Sequence, residues 1–371
     1  MYSYYKDLLG QIPLRYASSD FSLMAQGKVL TIGQQINLCK PSTDADIQEA
    51  MFSIPNHKSR GPDGFSSGFF KSSWHSTVPL VCAMVKQFFR LGHIPLFISA
   101  TKMIVLPKVP HPQTASDFCL ISCCNVTYKV IMKLLCLRLK MVLPSLINQS
   151  QGAFVNGRQI LFNVLIWQDL ARGYLRKHIS PRCMMKLDLC KPFDSIHWDF
   201  LEDLLKAPHF PNVFTQWIMA CISNIEFHLH INGRIHGSFK GRRGLRQGDP
   251  LLPLFFVLAM EYFSWLIQKV STHPHCKALN LTHLMFADDL LLFSKADIPT
   301  ICIIKEALDM FPHTTGLDAN LHKSQIFLGG CFTPLHHQCL QASGFRASTL
   351  PMECLTIGRP CFFFRKMCWK K

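Results

Sequence analysis

Two kinds of apolar patterning run along the 371-residue chain. Short apolar runs bounded by Gly, Pro or charged residues read as strands, and longer segments with apolar positions three and four apart read as helices. "TKMIVLPKV" predicts a strand over 103–106 closed by Pro107. "PSTDADIQEAMFSI" offers Ser42, Thr43 or Asp44 as helix caps before an apolar-periodic segment. Gly61, Pro62 and Gly64 then break the pattern ahead of a second helix over roughly 66–91, and a long helix is predicted over 126–142. "CMMKLDLCKPFDSIHWDFLEDLL" reads as strand, turn and helix, with the helix starting near Trp198. "EFHLHINGRIHGSFK" alternates around Asn232-Gly233, a strong two-residue hairpin signal. The run "LLPLFFVLAMEYFSWLI" contains Pro253 and Glu261. It falls short of the roughly 20 residues a membrane-spanning helix needs, and reads as a buried core helix. A helix near 301–311 and a strand near 325–328 follow, whereas the first 40 residues give no clear signal. Strands alternating with helices imply an α/β or α+β architecture.

One apolar run is interrupted in a telling way. "HLMFADDLLLF" places Asp288 and Asp289 side by side where the pattern asks for a buried strand. An ionised carboxylate in an apolar setting is costly unless it takes up a proton or finds a cation. If "HLMF" and "LLLF" are antiparallel strands, "ADD" is the hairpin turn and both carboxylates stand at the tip of a rigid element. That suits a divalent ion with oxygen ligands. The bland alternative is a pair of ordinary turn residues, since Asp is favoured in hairpin loops. Asp188 in "KLDL" tips the balance, because it too follows an apolar strand run and precedes a turn. Asp194, six residues later, reads as a helix cap or structural hydrogen-bonder. A strand-end Asp and an Asp-Asp hairpin together point to two-metal phosphoryl transfer.

Charge fits a polyanionic partner. Lys and Arg number 39 against 23 Asp and Glu, a formal net charge of +16, and such an excess suits nucleic acid better than a membrane surface. Arg234, Lys240, Arg242, Arg243 and Arg246 crowd one stretch, and contacts they made to a nucleic-acid backbone would be sequence-independent and salt-sensitive. Their alternative is a solvated basic loop. The 16 cysteines are scattered, and no secretory signal opens the chain, so a reducing compartment fits better than a disulfide scaffold. Cys331, His336, His337 and Cys339 lack paired zinc-ligand spacing.

Five blocks carry a resemblance. "GPDGFSSGFFKSSW", "SQGAFVNGRQI", "MMKLDLCKPFDSIHWDFL", "GLRQGDPLLPLFFVLAMEYFSWL" and "HLMFADDLLLFSKA" resemble, in that order, the blocks of a reverse transcriptase from a non-LTR (LINE-type) retrotransposon, particularly those of plant genomes. The resemblance covers about residues 40–360. It implies an α+β right-hand polymerase fold, with fingers and palm and a truncated thumb. The divisions it implies are an N-terminal segment over 1–40, a helical region over 41–101, fingers and palm over 102–330 and a thumb-like segment over 331–371. Asp188 would be the palm aspartate, with Asp288 and Asp289 the pair on the metal-binding hairpin. Together with Leu189 they would hold two Mg²⁺ ions, or Mn²⁺. Phe193 would be the bulky gate that rejects a 2′-hydroxyl. Gln247 and Gly248, followed by Pro250, would support template and incoming nucleotide. Lys108 would lie near the triphosphate and Lys323 near the leaving pyrophosphate, each against the alternative of a solvated charge. The implied partners are an RNA template, a DNA primer and dNTPs, with no membrane and a nuclear or cytoplasmic location.

The chain also departs from that pattern. Where the family usually reads "DFRPIS", this chain has "DFCLIS", so Cys119 and Leu120 replace arginine and proline. The lost arginine would be a bidentate, charge-assisted phosphate contact. Pro192 replaces a small residue beside Phe193, Leu252 a serine-like position, and Arg60 a proline. The chain is also expected to lack an upstream endonuclease and a complete thumb. These departures favour an alternative, a catalytically inactive retroelement remnant that binds RNA or DNA through its basic surface. A nucleotidyl-cyclase-like enzyme is a third reading, disfavoured by the "GLRQGDP" block.

Overall fold

The computed structural model describes residues 1–12, 17–174, 179–276 and 278–348. The closing "CLTIGRPCFFFRKMCWKK" stretch, and with it much of the expected thumb-like segment, lies outside the described residues. Among the described residues there are nine strands: β1 (Thr101–Pro107), β2 (Phe118–Cys124), β3 (Arg182–Leu187), β4 (Glu226–Ile231), β5 (Arg234–Lys240), β6 (Ala278–Phe286), β7 (Asp289–Lys295), β8 (Gln325–Gly329) and β9 (Arg346–Ala347). Helices and antiparallel-rich sheets in one chain make it α+β.

The chain divides into two units. The first comprises Met1–Tyr16, Lys28–Leu146 and Phe193–Phe255. Its sheet has the order β2-β1-β4-β5, with β1 antiparallel to β2 and parallel to β4. The expected hairpin is there: Asn232 and Gly233 both have positive φ, 50° and 80°, the backbone a tight two-residue turn requires. Helix Asp44–Phe52 begins at Thr43, whose side chain accepts from Asp46 N while Asp46 returns the bond. The single helix expected over 66–91 is instead two, Ser67–Ser72 and Trp74–Leu91. Ser73 Oγ bonds Phe69 O at 2.7 Å, a local side-chain bond that competes with helix continuation. The long helix Val126–Leu146 runs one turn past its expected end. The uninformative N-terminus folds as helices as well, beginning with Tyr2–Gly10. Tyr5 and Leu9 of that helix join a core with Met103, Leu120, Phe227 and Phe239.

The second unit comprises Ala17–Gly27, Ile147–Pro192 and Phe256–Lys371. Its sheet has the order β6-β7-β3-β8-β9, antiparallel except for the short β9 edge. Period-two alternation sends Met184, Leu284, Leu291, Phe293 and Phe327 to one face. There they pack under Trp167, Ala171 and Tyr174 of helix Ile160–Tyr174. Helix Leu252–Ser271 is long and apolar enough to cross a membrane, yet 72% of its most apolar stretch is buried within the protein, as a core helix requires. The thirteen described cysteines are all free thiols.

Candidate active site

Strand β3 runs antiparallel to β7 in a ladder that ends at Leu187 opposite Leu290. The next residues beyond that pair are Asp188 on one chain segment and Asp289, the first residue of β7, on the other. Neighbouring strands lie about 5 Å apart, so the two carboxylate-bearing residues are adjacent in space although about a hundred positions separate them in the sequence. Asp289 therefore belongs to a strand, and the "ADD" turn expected from the sequence is shorter. Phe286 pairs with Asp289, which leaves Ala287 and Asp288 as the two-residue turn. Only a tight turn keeps both strands in register here. Ala287 adopts a φ of 54° to make it, a backbone state that costs free energy for any residue with a Cβ.

Residues 318–324 fix the main chain around Asp188. Asn320 N donates to Asp188 O at 2.7 Å, Cys190 N to Asp318 O at 2.8 Å, and Asp188 N to Ser324 Oγ at 3.2 Å. Leu189 forms an isolated bridge with Ala319 and is buried. Sequence reasoning missed Ser324 and Asn320, although Asn followed by polar residues in "ANLHKSQ" is itself a turn signal. Lys323, on the same segment, places Nζ 3.9 Å from Asp188 Oδ2 and remains 67% exposed. Asp188, Asp288, Asp289 and Lys323 all belong to the second unit.

Lys108, Phe193, Gln247 and Gly248 belong to the first. Gln247 O accepts from Ser122 N at 2.8 Å, tying the "RQG" turn to the end of β2. Gly248 has a φ of 113°, and a Cβ there would stand 2.8 Å from Ser122 O; the close approach demands glycine. The Gln247 carboxamide is held at both ends. It accepts from Cys119 Sγ at 3.2 Å and donates to Asp194 Oδ1 at 3.3 Å. Asp194 is thus a hydrogen-bonder, one of the two roles expected of it. Phe193 is half-buried, and its carbonyl accepts from Leu245 N. Lys108 is exposed and donates to Ser116 O at 3.2 Å.

The basic stretch behaves differently from the expectation. Arg234, Lys240 and Arg242 are exposed, but Arg246 is 4% exposed and cannot face a nucleic-acid backbone. Its guanidinium donates to Ser99 O, Thr101 Oγ1, Cys221 O and the Tyr128 hydroxyl, and stands 3.5 Å from Asp249 Oδ2. Burial opposes its charge, and Tyr128, Cys124 and Asp249 more than offset that, so its pKa is raised. Arg243 is spent partly inside too, with Nε on Leu8 O. A run of arginines in a sequence does not distinguish a solvated charge from a buried clamp. Only the packing does.

A model of the reverse transcriptase (RNA-dependent DNA polymerase) family matches residues 107–355. The chain belongs to the reverse transcriptase family. It is 28% identical over 292 residues to the transposon TX1 uncharacterized 149 kDa protein of Xenopus laevis, covering 78% of this chain and 22% of that protein. It is 27% identical over 295 residues to the retrovirus-related Pol polyprotein of the type-2 element R2DM of Drosophila melanogaster, covering 78% of this chain and 26% of that protein. It is also 41% identical over 66 residues to an uncharacterized mitochondrial protein of Arabidopsis thaliana, covering 16% of this chain and 54% of that protein. The chain thus spans about a quarter of the length of the transposon proteins it matches.

Reverse transcriptases depend in general on a divalent metal ion, and the donor set at the end of β3 and β7 can be tested against that need. Carboxylate oxygens are hard donors. Mg²⁺ is commonly held by one or two carboxylates and completed by substrate phosphates and water. Asp188 and Asp289 meet that description. Among the described residues, no three His, Cys, Asp or Glu side chains form a closed metal cluster of their own. The residues therefore fit an open site completed by substrate and not a preformed cage.

Proposed function

We propose that this reverse transcriptase is an RNA-directed DNA polymerase of a non-LTR retrotransposon that adds deoxynucleotides to a primer 3′-hydroxyl along an RNA template. The observation that supports the reading is the β3–β7 register, whose last pair, Leu187 and Leu290, is flanked by Asp188 and Asp289. In this reading the sheet β6-β7-β3-β8-β9 is the palm and the first unit supplies the fingers. The relatives in transposons support the element class, and the Arabidopsis match is consistent with a plant lineage.

The reaction forms a bond between the primer 3′-oxygen and the α-phosphorus, breaks the bond from that phosphorus to the bridging oxygen, and releases pyrophosphate while the 3′-hydroxyl loses its proton. Asp188, Asp288 and Asp289, with Leu189 at the same strand end, would hold two Mg²⁺ ions. When bound, such ions lower the pKa of the attacking hydroxyl and offset charge on the phosphate. Lys323, exposed beside Asp188, would neutralise the departing pyrophosphate. Phe193 would exclude a 2′-hydroxyl by contact, the Gln247-Gly248 turn would support the base pair being formed, and Lys108 would meet the triphosphate.

Primer extension on a homopolymer RNA template tests the reading: radiolabelled primer should lengthen with dNTPs and Mg²⁺, and not with rNTPs. One observation favours a second reading. Cys119 stands where the family carries a phosphate-binding arginine, and a remnant that lost catalysis would still shift template–primer in a gel while extending nothing.

A further inference from the structure

The "SQGAF" segment lies against the aspartate hairpin. Met285 N donates to Ser150 O and Gly152 N to Met285 O, each at 2.9 Å, so that Gln151 forms an isolated parallel bridge with Met285 of β6. Arg158 clamps this segment from outside, donating to Ile147 O at 2.7 Å, to Gln151 O at 2.8 Å and to Asn148 O. Asn163 Nδ2 adds a bond to Met285 O at 2.8 Å. Gln151 itself is fully buried. Its Oε1 accepts from Ala153 N and from Ala287 N, each at 3.0 Å. Ala287 is the strained turn residue that precedes Asp288. Gln151 Nε2 is buried without a partner, so the amide is kept in place by its acceptor end alone.

We infer that Gln151 is a positioning residue: its Oε1 grips the Ala287 N–H, fixes the positive-φ turn, and thereby sets where the Asp288 carboxylate stands at the end of the sheet. The inference rests on the polymerase reading for the role of Asp288. Without the Gln151 acceptor, Ala287 would relax toward negative φ, and Asp288 would swing with it. The buried Ala287 N–H would also lose the side-chain acceptor it has in Gln151.

The test uses the full chain and two variants of nearly equal size. Gln151→Met removes the acceptor, whereas Gln151→Glu keeps it and lacks the unpartnered amide nitrogen. Mn²⁺ affinity is read by electron paramagnetic resonance, alongside thermal unfolding without metal and steady-state primer extension. Gln151→Met should weaken Mn²⁺ binding about tenfold, the range seen when an outer-shell partner of a metal ligand is lost, and lower kcat with KM for template–primer unchanged. Gln151→Glu should restore most of both. A purely structural glutamine would lower the melting temperature in Gln151→Met and leave Mn²⁺ affinity of the folded protein unmoved, which overturns the proposal. So does equal failure of Gln151→Glu, or a wild-type protein that binds no Mn²⁺. A wild-type protein that binds Mn²⁺ but extends no primer refutes the polymerase reading instead, and the Mn²⁺ comparison between variants still decides the role of Gln151.

Discussion

Cys119 Sγ and Gln247 Oε1 stand 3.2 Å apart, the thiol donating, and the same carboxamide donates onward to Asp194 Oδ1 at 3.3 Å. A flexible side chain is thereby locked in one orientation by groups from two other stretches of sequence. Burial pushes the Tyr5 hydroxyl up to about 12, with Asp194 and Cys119 adding to the shift, so the tyrosine remains neutral. Cys119 has therefore not simply vacated an arginine's place; it ties down Gln247.

Substituting Cys119 tests that tie. A single neutral hydrogen bond is worth about 0.5–1.5 kcal/mol, so Cys119→Val should lower kcat/KM for dNTP roughly 2- to 10-fold. Cys119→Ser keeps a donor and should stay close to wild type. Equal efficiencies for valine and serine in single-nucleotide incorporation would show that the thiol does not orient Gln247.

The carboxylates should separate activity from folding. Asp288→Ala and Asp188→Asn should each reduce incorporation by about 10³-fold, the scale on which preorganised charge acts in such sites, with circular dichroism unchanged. Lys323→Ala should leave the melting point nearly where it was, because its ion pair with Asp188 is 3.9 Å long and mostly exposed, and such pairs contribute about 0–1 kcal/mol. A fall in pyrophosphate release in that variant would locate Lys323 in the chemistry. Full incorporation by Asp288→Ala would end the polymerase reading.

The candidate carboxylates were easier to single out in the sequence than the scaffold around them. Asp188 and the Asp288-Asp289 pair announced themselves because carboxylates interrupt apolar strand patterns, and that conflict is visible residue by residue. Thr43 as a cap and Asn232-Gly233 as a turn were equally local. The helix Tyr2–Gly10 was not, because what makes it helical is burial of Tyr5 and Leu9 against strands more than ninety residues away. Ser73 divided a helix through one hydroxyl bond that periodicity does not register. Arg246 was misread for the same reason: its partners, Ser99, Thr101, Tyr128 and Cys221, come from elsewhere in the fold.

Arg246 should matter for stability and not for nucleic-acid affinity. Removing one partner from a buried charged cluster costs about 3–5 kcal/mol, since Asp249 and Tyr128 would lose their cation. Asp249 is already pushed toward protonation by burial, which Arg246, the Leu251 amide and the Tyr128 hydroxyl oppose. Arg246→Met should therefore lower the denaturation midpoint sharply, whereas Arg242→Met, at an exposed site, should weaken template–primer binding and flatten its salt dependence. An Arg246→Met protein of normal stability would contradict the buried-clamp assignment.

His283 gives the second unit a predictable weakness in acid. Its ring is 3% exposed, and its two nitrogens meet Thr282 Oγ1 at 2.8 Å, Ser150 Oγ at 2.8 Å and Ser264 Oγ at 3.1 Å. No carboxylate is among those partners, and burial lowers its pKa from 6.5 to about 4. The unfolded chain therefore binds a proton that the folded one resists. The stabilising effect of the neutral ring is complete above pH 6.5 and is lost as pH falls toward 4, in total about 3 kcal/mol at 1.36 kcal/mol per pKa unit. Urea unfolding at a series of pH values should show stability falling through that window, and His283→Gln, which cannot take up a proton, should remove most of the slope. A slope that persists unchanged in His283→Gln would mean that another buried group carries the acid sensitivity.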